Sequence, residues 1–173
     1  MQIRAFEVED EDGVDALLKA AFPGPGEARL VTALRAADAD TLELVADDHG
    51  RIVGTVMFSP VTTRVEDGED LFGVGLGPVA VIPEHQSRGI GAALIEAGLD
   101  YLATLGVPWC VVLGDPDYYQ RFDFKPAASR NWAWAGDPDG AHAPAFQVRP
   151  LITGSAPSGK VATVHYHPAF LGV

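Results

Sequence analysis

Apolar and polar residues along the chain follow two periods, and the switches between them mark out its elements. MQIRAFEV (1–8) alternates closely enough to predict a first strand. In DEDGVDALLKAAF (10–22) the period lengthens. Val14, Leu17, Leu18 and Ala21 recur at helical spacing behind an acidic start, which predicts a helix. PGPG (23–26) breaks the chain. EARLVTALRAA (27–37) then predicts a second helix with Leu30, Val31 and Leu34 on one face. Residues 41–65 predict two strands around the turn Asp47-Asp48-His49-Gly50, and EDGED (66–70) is another turn.

The central stretch has the strongest pattern. It predicts a long strand (71–82), a loop (83–88), a helix (89–105) and an apolar strand (107–114). Ile90, Ala93, Leu94, Ala97, Gly98, Tyr101, Leu102 and Leu105 fit one buried helix face. Gly106 stands where a helix-ending residue with positive φ belongs, with Pro108 just after it. Such a strand-loop-helix-strand unit is expected to cross over right-handed between parallel strands. Beyond Lys125, AFQVRPLI (145–152) and KVATVHYHPAF (160–170) predict two more strands, expected as a terminal pair. RNWAWAGDPDGAHAP (130–144) reads as an irregular surface segment.

With 173 residues, 47% of them hydrophobic, the chain suits a single α/β domain over 1–173 with a full core. No apolar run approaches the length of a membrane-spanning helix, and the charged beginning does not resemble a signal peptide. A cytoplasmic protein is therefore expected. The lone Cys110 leaves no internal disulfide and reads as a buried small hydrophobe. A net charge of −12 argues against nucleic acid or an anionic membrane as partner. It also means that an anionic ligand needs local groups that overcome the global repulsion.

Two glycine-rich stretches compete for such a ligand. In PEHQSRGIGAAL (83–94) the loop runs straight into the central helix. Helix N-termini present unpaired N–H groups and a positive dipole end. Gly89 and Gly91 let a ligand approach the backbone, and Arg88 adds a full charge with a forked donor. Gln86 can supply another donor. This favours a phosphate or pyrophosphate. After Gly91 come Ala92, Ala93 and Leu94, so the third glycine of a dinucleotide fingerprint is missing. The rival, GSAPSGKV (154–161), fits G-x-x-x-x-G-K but places Val161 where a magnesium-binding hydroxyl belongs. An alternating β-branched run follows it, so it reads as a hairpin loop with Lys160 in solvent. Magnesium-dependent ATP binding there is the weaker alternative.

The segment VAVIPEHQSRGIGAALIEAGLDYLATLG (79–106) resembles the acetyl-coenzyme A binding segment of the GNAT superfamily of N-acetyltransferases, whose pattern is Q/R-x-x-G-x-G/A. Gln86, Gly89 and Gly91 occupy its fixed positions, with Ser87, Arg88 and Ile90 between them. PDYYQRFDFKPA (116–127) is similar to the family's Y-x-x-x-G-F segment, with Tyr119 and Phe124 matching and Asp123 in place of glycine. Asp tolerates left-handed backbone better than most residues. The wording VLGDPDYYQRF and the ending HYHPAF are most like the small bacterial branch called YhbS-like.

The resemblance implies a GNAT fold, a mostly antiparallel central sheet splayed between two parallel strands and flanked by helices. It implies acetyl transfer from acetyl-CoA to a primary amine by direct attack. The pyrophosphate would rest on the N–H groups of Arg88, Gly89, Ile90, Gly91 and Ala92. Backbone groups of Val79, Ala80 and Val81 would pair with the pantetheine arm or polarise the thioester. Tyr119 would contact the donor and protonate the leaving thiolate. Glu27 is the candidate base, set against an ordinary role as a helix N-terminal carboxylate. No metal is implied: His165 and His167 stand two apart but lack a third ligand. Trp109, Trp132 and Trp134 read as core or rim, with Trp132 and Trp134 able to line an acceptor pocket. A homodimer through the terminal strand pair and an acyl-CoA-binding sensor without turnover are the remaining alternatives.

Overall fold

The helices and strands predicted from 1 to 114 all form in the computed structural model, with ends shifted by a few residues; it describes residues 1–157 and 159–173. The order is β1 (Gln2–Ala5), α1 (Glu11–Ala21), α2 (Gly26–Ala36), β2 (Leu42–Asp48), β3 (Arg51–Val65), β4 (Leu71–Val81), α3 (Ile90–Thr104) and β5 (Trp109–Leu113). Then come α4 (Pro116–Tyr119), β6 (Lys125–Pro126), β7 (Trp132–Trp134), β8 (Phe146–Pro150) and β9 (Ala162–Tyr166). Pairing is mixed and mostly antiparallel; β4 with β5 and β7 with β9 are parallel. The described residues gather into two compact units. The first is Met1–Ser59, Gly77–Tyr101 and Pro168–Val173; the second is Pro60–Leu76 and Leu102–His167. Among the described residues no helix is long and apolar enough to cross a membrane.

In the first unit β1, β2 and β3 pair in order, each antiparallel to the next. The apolar faces foreseen for α1 and α2 are the buried ones: Val14, Leu17 and Leu18, then Leu30, Val31 and Leu34. Fully burying side chains of this size stabilises the fold by about 1.5–3 kcal/mol each relative to exposure. Pro168–Gly172 forms a short 3₁₀ turn against α2. One ion-pair network ties the chain's start to this unit. Asp10 is buried and takes Arg4 in a fork at 2.7 and 2.8 Å. Asp10 also accepts the Glu7 N–H at 2.8 Å, and Arg4 reaches Asp47.

In the second unit β4, β5, β8 and β6 lie in that order, and residues 61–65 of β3 pair with β9, which pairs with β7. The β4–β5 register sets Val74 against Cys110 and Gly75 against Val111, the parallel pairing expected of the central crossover. Trp109 and Trp132 meet edge to face at 5.3 Å in a core that also holds Val111, Phe146, Val148 and Val164. Such an arrangement adds about 0.5–1.5 kcal/mol beyond its buried area. Cys110 is fully buried, as expected, and burial pushes its thiol pKa up.

Three expectations need correction. First, β8 and β9 do not form a terminal pair. β8 pairs with β5 and β6, while β9 pairs with β3 and β7. Eleven residues (151–161) separate them, too many for a tight hairpin. The strand pair named as a dimer interface therefore does not exist. Second, 130–144 is not wholly an irregular surface segment: it carries β7, and Trp132 is 2% exposed. Third, the buried face of α3 is rotated. Tyr101 and Leu105 are exposed, whereas Ile95 and Leu99 are fully buried. Glu96, Asp100 and Thr104 mark the face that meets solvent. Because the helix is apolar on most sides, two registers fitted the pattern almost equally.

Candidate functional site

The loop before α3 is shaped by two residues in left-handed backbone. Ser87 has φ +62° and Gly89 φ +82°. Pro83–His85 forms a single 3₁₀ turn first, closed by the His85 N–H to Ile82 C=O bond at 2.9 Å. Ile82 is anchored by its own N–H to the Val53 carbonyl at 3.0 Å. The helix starts abruptly after that. Its first backbone bond runs from Ala93 N–H to Gly89 C=O at 3.0 Å. Helix geometry therefore leaves the N–H groups of Gly89, Ile90, Gly91 and Ala92 without an intrahelical acceptor. Successive N–H groups beside left-handed residues form a concave anion nest.

The surroundings of this nest suit an anion. A β-carbon on Gly89 would meet nothing within 4 Å, so the approach is open. Arg88 is exposed, and among the described residues no carboxylate pairs with it. The nearby acids are engaged elsewhere or on the other side of the turn. Glu84 accepts from its own backbone N–H and pairs with Arg51 at 2.6 Å, which together hold its carboxyl below the usual range. Gln86 Nε2 donates to the Val81 carbonyl at 3.0 Å. Gln86 thus braces the loop against the end of β4, and the Val81 carbonyl is already engaged. On β4 Ala80 is buried, while Val79 and Val81 are half-buried on the alternate face. Ile90 is buried under the loop, and Gly91 and Ala92 lie half-buried in the first turn of α3.

The other predicted residues lie apart from this loop in the chain. Glu27 sits in the first turn of α2, half-buried, with no ion pair among the described residues. Tyr119 belongs to the second unit and ends α4. That helix starts on Asp115, whose Oδ1 accepts the Asp117 N–H at 2.9 Å, with Pro116 at its first position. Tyr119 is 9% exposed and packs edge to face on Tyr118 and Phe124. Burial, with smaller contributions from Tyr118 and Cys110, pushes its hydroxyl up to about 12. The hydroxyl is a proton donor at any physiological pH. Asp123 adopts φ +61°, so the left-handed turn that glycine would make survives with Asp.

The competing stretch at 154–160 is built differently; Ser158 within it lies outside the described residues. It leads into β9, not into a helix. Its hydrogen bonds turn inward. Ser155 Oγ donates to the Pro108 carbonyl at 2.7 Å, and Arg130 donates to the Ala156 carbonyl at 3.0 Å. Ala156 belongs to the second unit's core. His165 lies on β9 and His167 just beyond its end.

Two features escaped the sequence. Serine carries no signal for left-handed backbone at position 87. Nor did the pattern distinguish Gln86 as a ligand from Gln86 as a brace; its place five residues after a strand-end carbonyl is the only hint.

Comparisons with known proteins converge on one family of acetyltransferases. Residues 2–127 match the acetyltransferase (GNAT) domain. The chain is 40% identical to the uncharacterized N-acetyltransferase YhbS of Escherichia coli K12, over 98% of both chains. It is similar to the crystal structure of Escherichia coli YhbS in complex with CoA, with TM-score 0.88 and 39% identity, covering 98% of this chain and 91% of that one. It is also similar to a GNAT family acetyltransferase from Brucella melitensis in complex with acetyl-CoA. There the TM-score is 0.77 and the identity 35%, over 98% of this chain and 97% of that one.

Proposed function

The chain belongs to the GNAT acetyltransferase family, and from that membership we propose that it transfers the acetyl group of acetyl-CoA to a primary amine, with the loop before α3 as the donor's anchor. One observation carries this reading. In a chain of net charge −12, the loop before α3 leaves four N–H groups without intrahelical acceptors, next in sequence to an exposed Arg88 that pairs with no carboxylate among the described residues. Donor phosphates bring the negative charge that such a nest stabilises, and the thioester supplies the activated acyl group.

Each residue then has a defined task. Arg88 and the N–H groups of Gly89, Ile90, Gly91 and Ala92 hold the diphosphate. Ser87 contributes backbone shape. Gln86 keeps the loop on β4. Val79, Ala80 and Val81 offer strand backbone to the amide-bearing arm. Tyr119 donates its hydroxyl proton to the sulfur as the C–S bond breaks. The acceptor must be neutral at its nitrogen when it attacks. Glu27 is retained only as a candidate to take that proton, since its place in the first turn of α2 is equally explained by the helix dipole. The overall charge favours a cationic acceptor such as a polyamine, through long-range attraction that salt weakens.

Calorimetric titration with acetyl-CoA tests the anchor. Removing one charged hydrogen-bonding group costs about 1.5–3 kcal/mol, so Arg88→Ala should weaken binding by roughly 10- to 150-fold. An unchanged Kd refutes the anchor. CoA release with spermidine and with a neutral amine, at low and high salt, tests the acceptor class. Equal kcat/KM for the two at low salt rules out the electrostatic preference.

A further inference from the structure

We propose that Gln147 is a positioning residue for Tyr119 and acts through the backbone of Gly114, an inference that rests on Tyr119 being the proton donor. Gln147 is the second residue of β8, between the buried Phe146 and Val148, and is 1% exposed. A buried amide in such a place is costly unless its donors and acceptor are matched. Its Nε2 donates to two backbone carbonyls, Gly114 at 3.2 Å and Ala145 at 3.3 Å. Two acceptors require the NH₂ end, so the amide has one orientation there. The Gly114 N–H closes the same link by donating to the Ala145 carbonyl at 3.0 Å. Gly114 is therefore held on both its polar groups.

Gly114 in turn sets the place of the tyrosine ring. A β-carbon on Gly114 would overlap Cε2 of Tyr119 and stand 2.9 Å from Cδ2. The ring thus rests directly on the Gly114 backbone and also packs edge to face on Phe124 at 5.8 Å and Tyr118 at 5.0 Å between centroids. A ring clamped on those sides keeps its hydroxyl in one position. If Gly114 moves, the ring is no longer supported and the hydroxyl moves with it. The next residue, Asp115, caps α4, so the same peptide also starts the helix that carries Tyr119. Gln147 pins this junction from the neighbouring strand, since β5 and β8 pair Val112 with Gln147.

The test needs no knowledge of the acceptor. It reads the ionisation of the CoA thiol by thiolate ultraviolet absorbance across pH, in complex with the full chain, with desulfo-CoA as the blank. A hydroxyl placed to donate to sulfur stabilises the thiolate, so in the wild type bound CoA should ionise at least tenfold more readily than free CoA. Tyr119→Phe should return the thiol to its free behaviour; if it does not, the proton-donor reading fails and the positioning role fails with it. Given that loss, Gln147→Met, which removes the amide at similar volume, should give up most of the gain while keeping CoA affinity at pH 7 within about twofold. Gly114→Ala, which leaves Gln147 intact, should do the same. Adding Gln147→Met to Tyr119→Phe should change nothing further. A wild-type thiol titration in Gln147→Met overturns the inference while leaving the role of Tyr119 standing. Should Gln147→Met fail to fold, Gln147→Leu, which also removes both amide donors, takes its place and is read in the same way.

Discussion

Gly98 of α3 lies flat against the ring of Phe58 of β3, with no room between them for a methyl group. A β-carbon there would overlap Cε2 and Cζ of a side chain that is itself fully buried. Two effects oppose each other in Gly98→Ala. Helix propensity favours alanine by about 1 kcal/mol. Overpacking a rigid core costs about 1–3 kcal/mol. The ring has no space to give way, so the expected outcome is net destabilisation of up to about 2 kcal/mol, visible as a lower denaturation midpoint at unchanged slope.

Ser87 and Gly89 share left-handed backbone but should respond oppositely to substitution. Gly89→Ala meets no clash, so its cost is the backbone strain alone, about 1–2 kcal/mol. Ser87→Gly relieves that strain and should be neutral or slightly stabilising. Only Gly89→Ala adds a β-carbon to the open space where the donor is proposed to approach, so only that variant should also weaken acetyl-CoA binding. Thermal melts with and without acetyl-CoA check the pair. Equal melts for Gly89→Ala and wild type would mean that φ +82° is not required in solution.

Asp10 makes a pH-dependent contribution whose sign is fixed. Its hydrogen bonds from Arg4 outweigh burial and hold its carboxyl below the usual range. A depressed carboxyl stabilises the fold above its unfolded pKa and loses that contribution as pH falls through the folded value. Asp10→Asn should therefore cost about 1.5–3 kcal/mol at pH 7. The gap to wild type should narrow below about pH 4, where the unfolded carboxyl takes up its proton. Chemical denaturation at pH 7 and at pH 3 measures both points.

Tyr119 should act in the opposite pH range. Its folded hydroxyl titrates at about 12, above the ordinary tyrosine value near 10. The stability linked to that shift is complete below about pH 10 and disappears as pH rises toward the folded value. Tyr119→Phe should remove this share of the alkaline loss. On the activity side, Tyr119 remains protonated throughout neutral pH, so no falling limb of kcat below pH 10 should be traced to it. A limb near pH 9 that vanishes in Tyr119→Phe would contradict its buried environment.

The loop proposed to hold the donor stood out as a candidate in the sequence because an anion nest constrains residue types at fixed spacing. A nest needs glycine at 89, an open start to a helix and a cation nearby, and all three are written between 86 and 92. The turn at Asp123 was legible for a similar reason, since few residues adopt its backbone. Strand pairing was not legible. The alternation in β8 and β9 says which side faces a core but carries nothing about which strand lies beside it. The length of the 151–161 connection held the missing information. The face of α3 was ambiguous because alanine and glycine are indifferent to burial, so Tyr101 and Ile95 competed for the core on shape, which a one-dimensional pattern does not record. Gln147 left a trace only as an amide in an apolar run.

The division of the chain has a consequence for its biosynthesis. The first unit is assembled from three separate stretches, and the last of these, Pro168–Val173, follows the whole of the second unit in sequence. A ribosome delivers residues in order, so the early segment Met1–Ser59 must wait for the entire second unit to emerge before its own final turn can settle on α2. The donor loop belongs to this waiting unit. Released chains truncated just before residue 168 should already hold the second unit's strands, yet lack the turn that packs on α2.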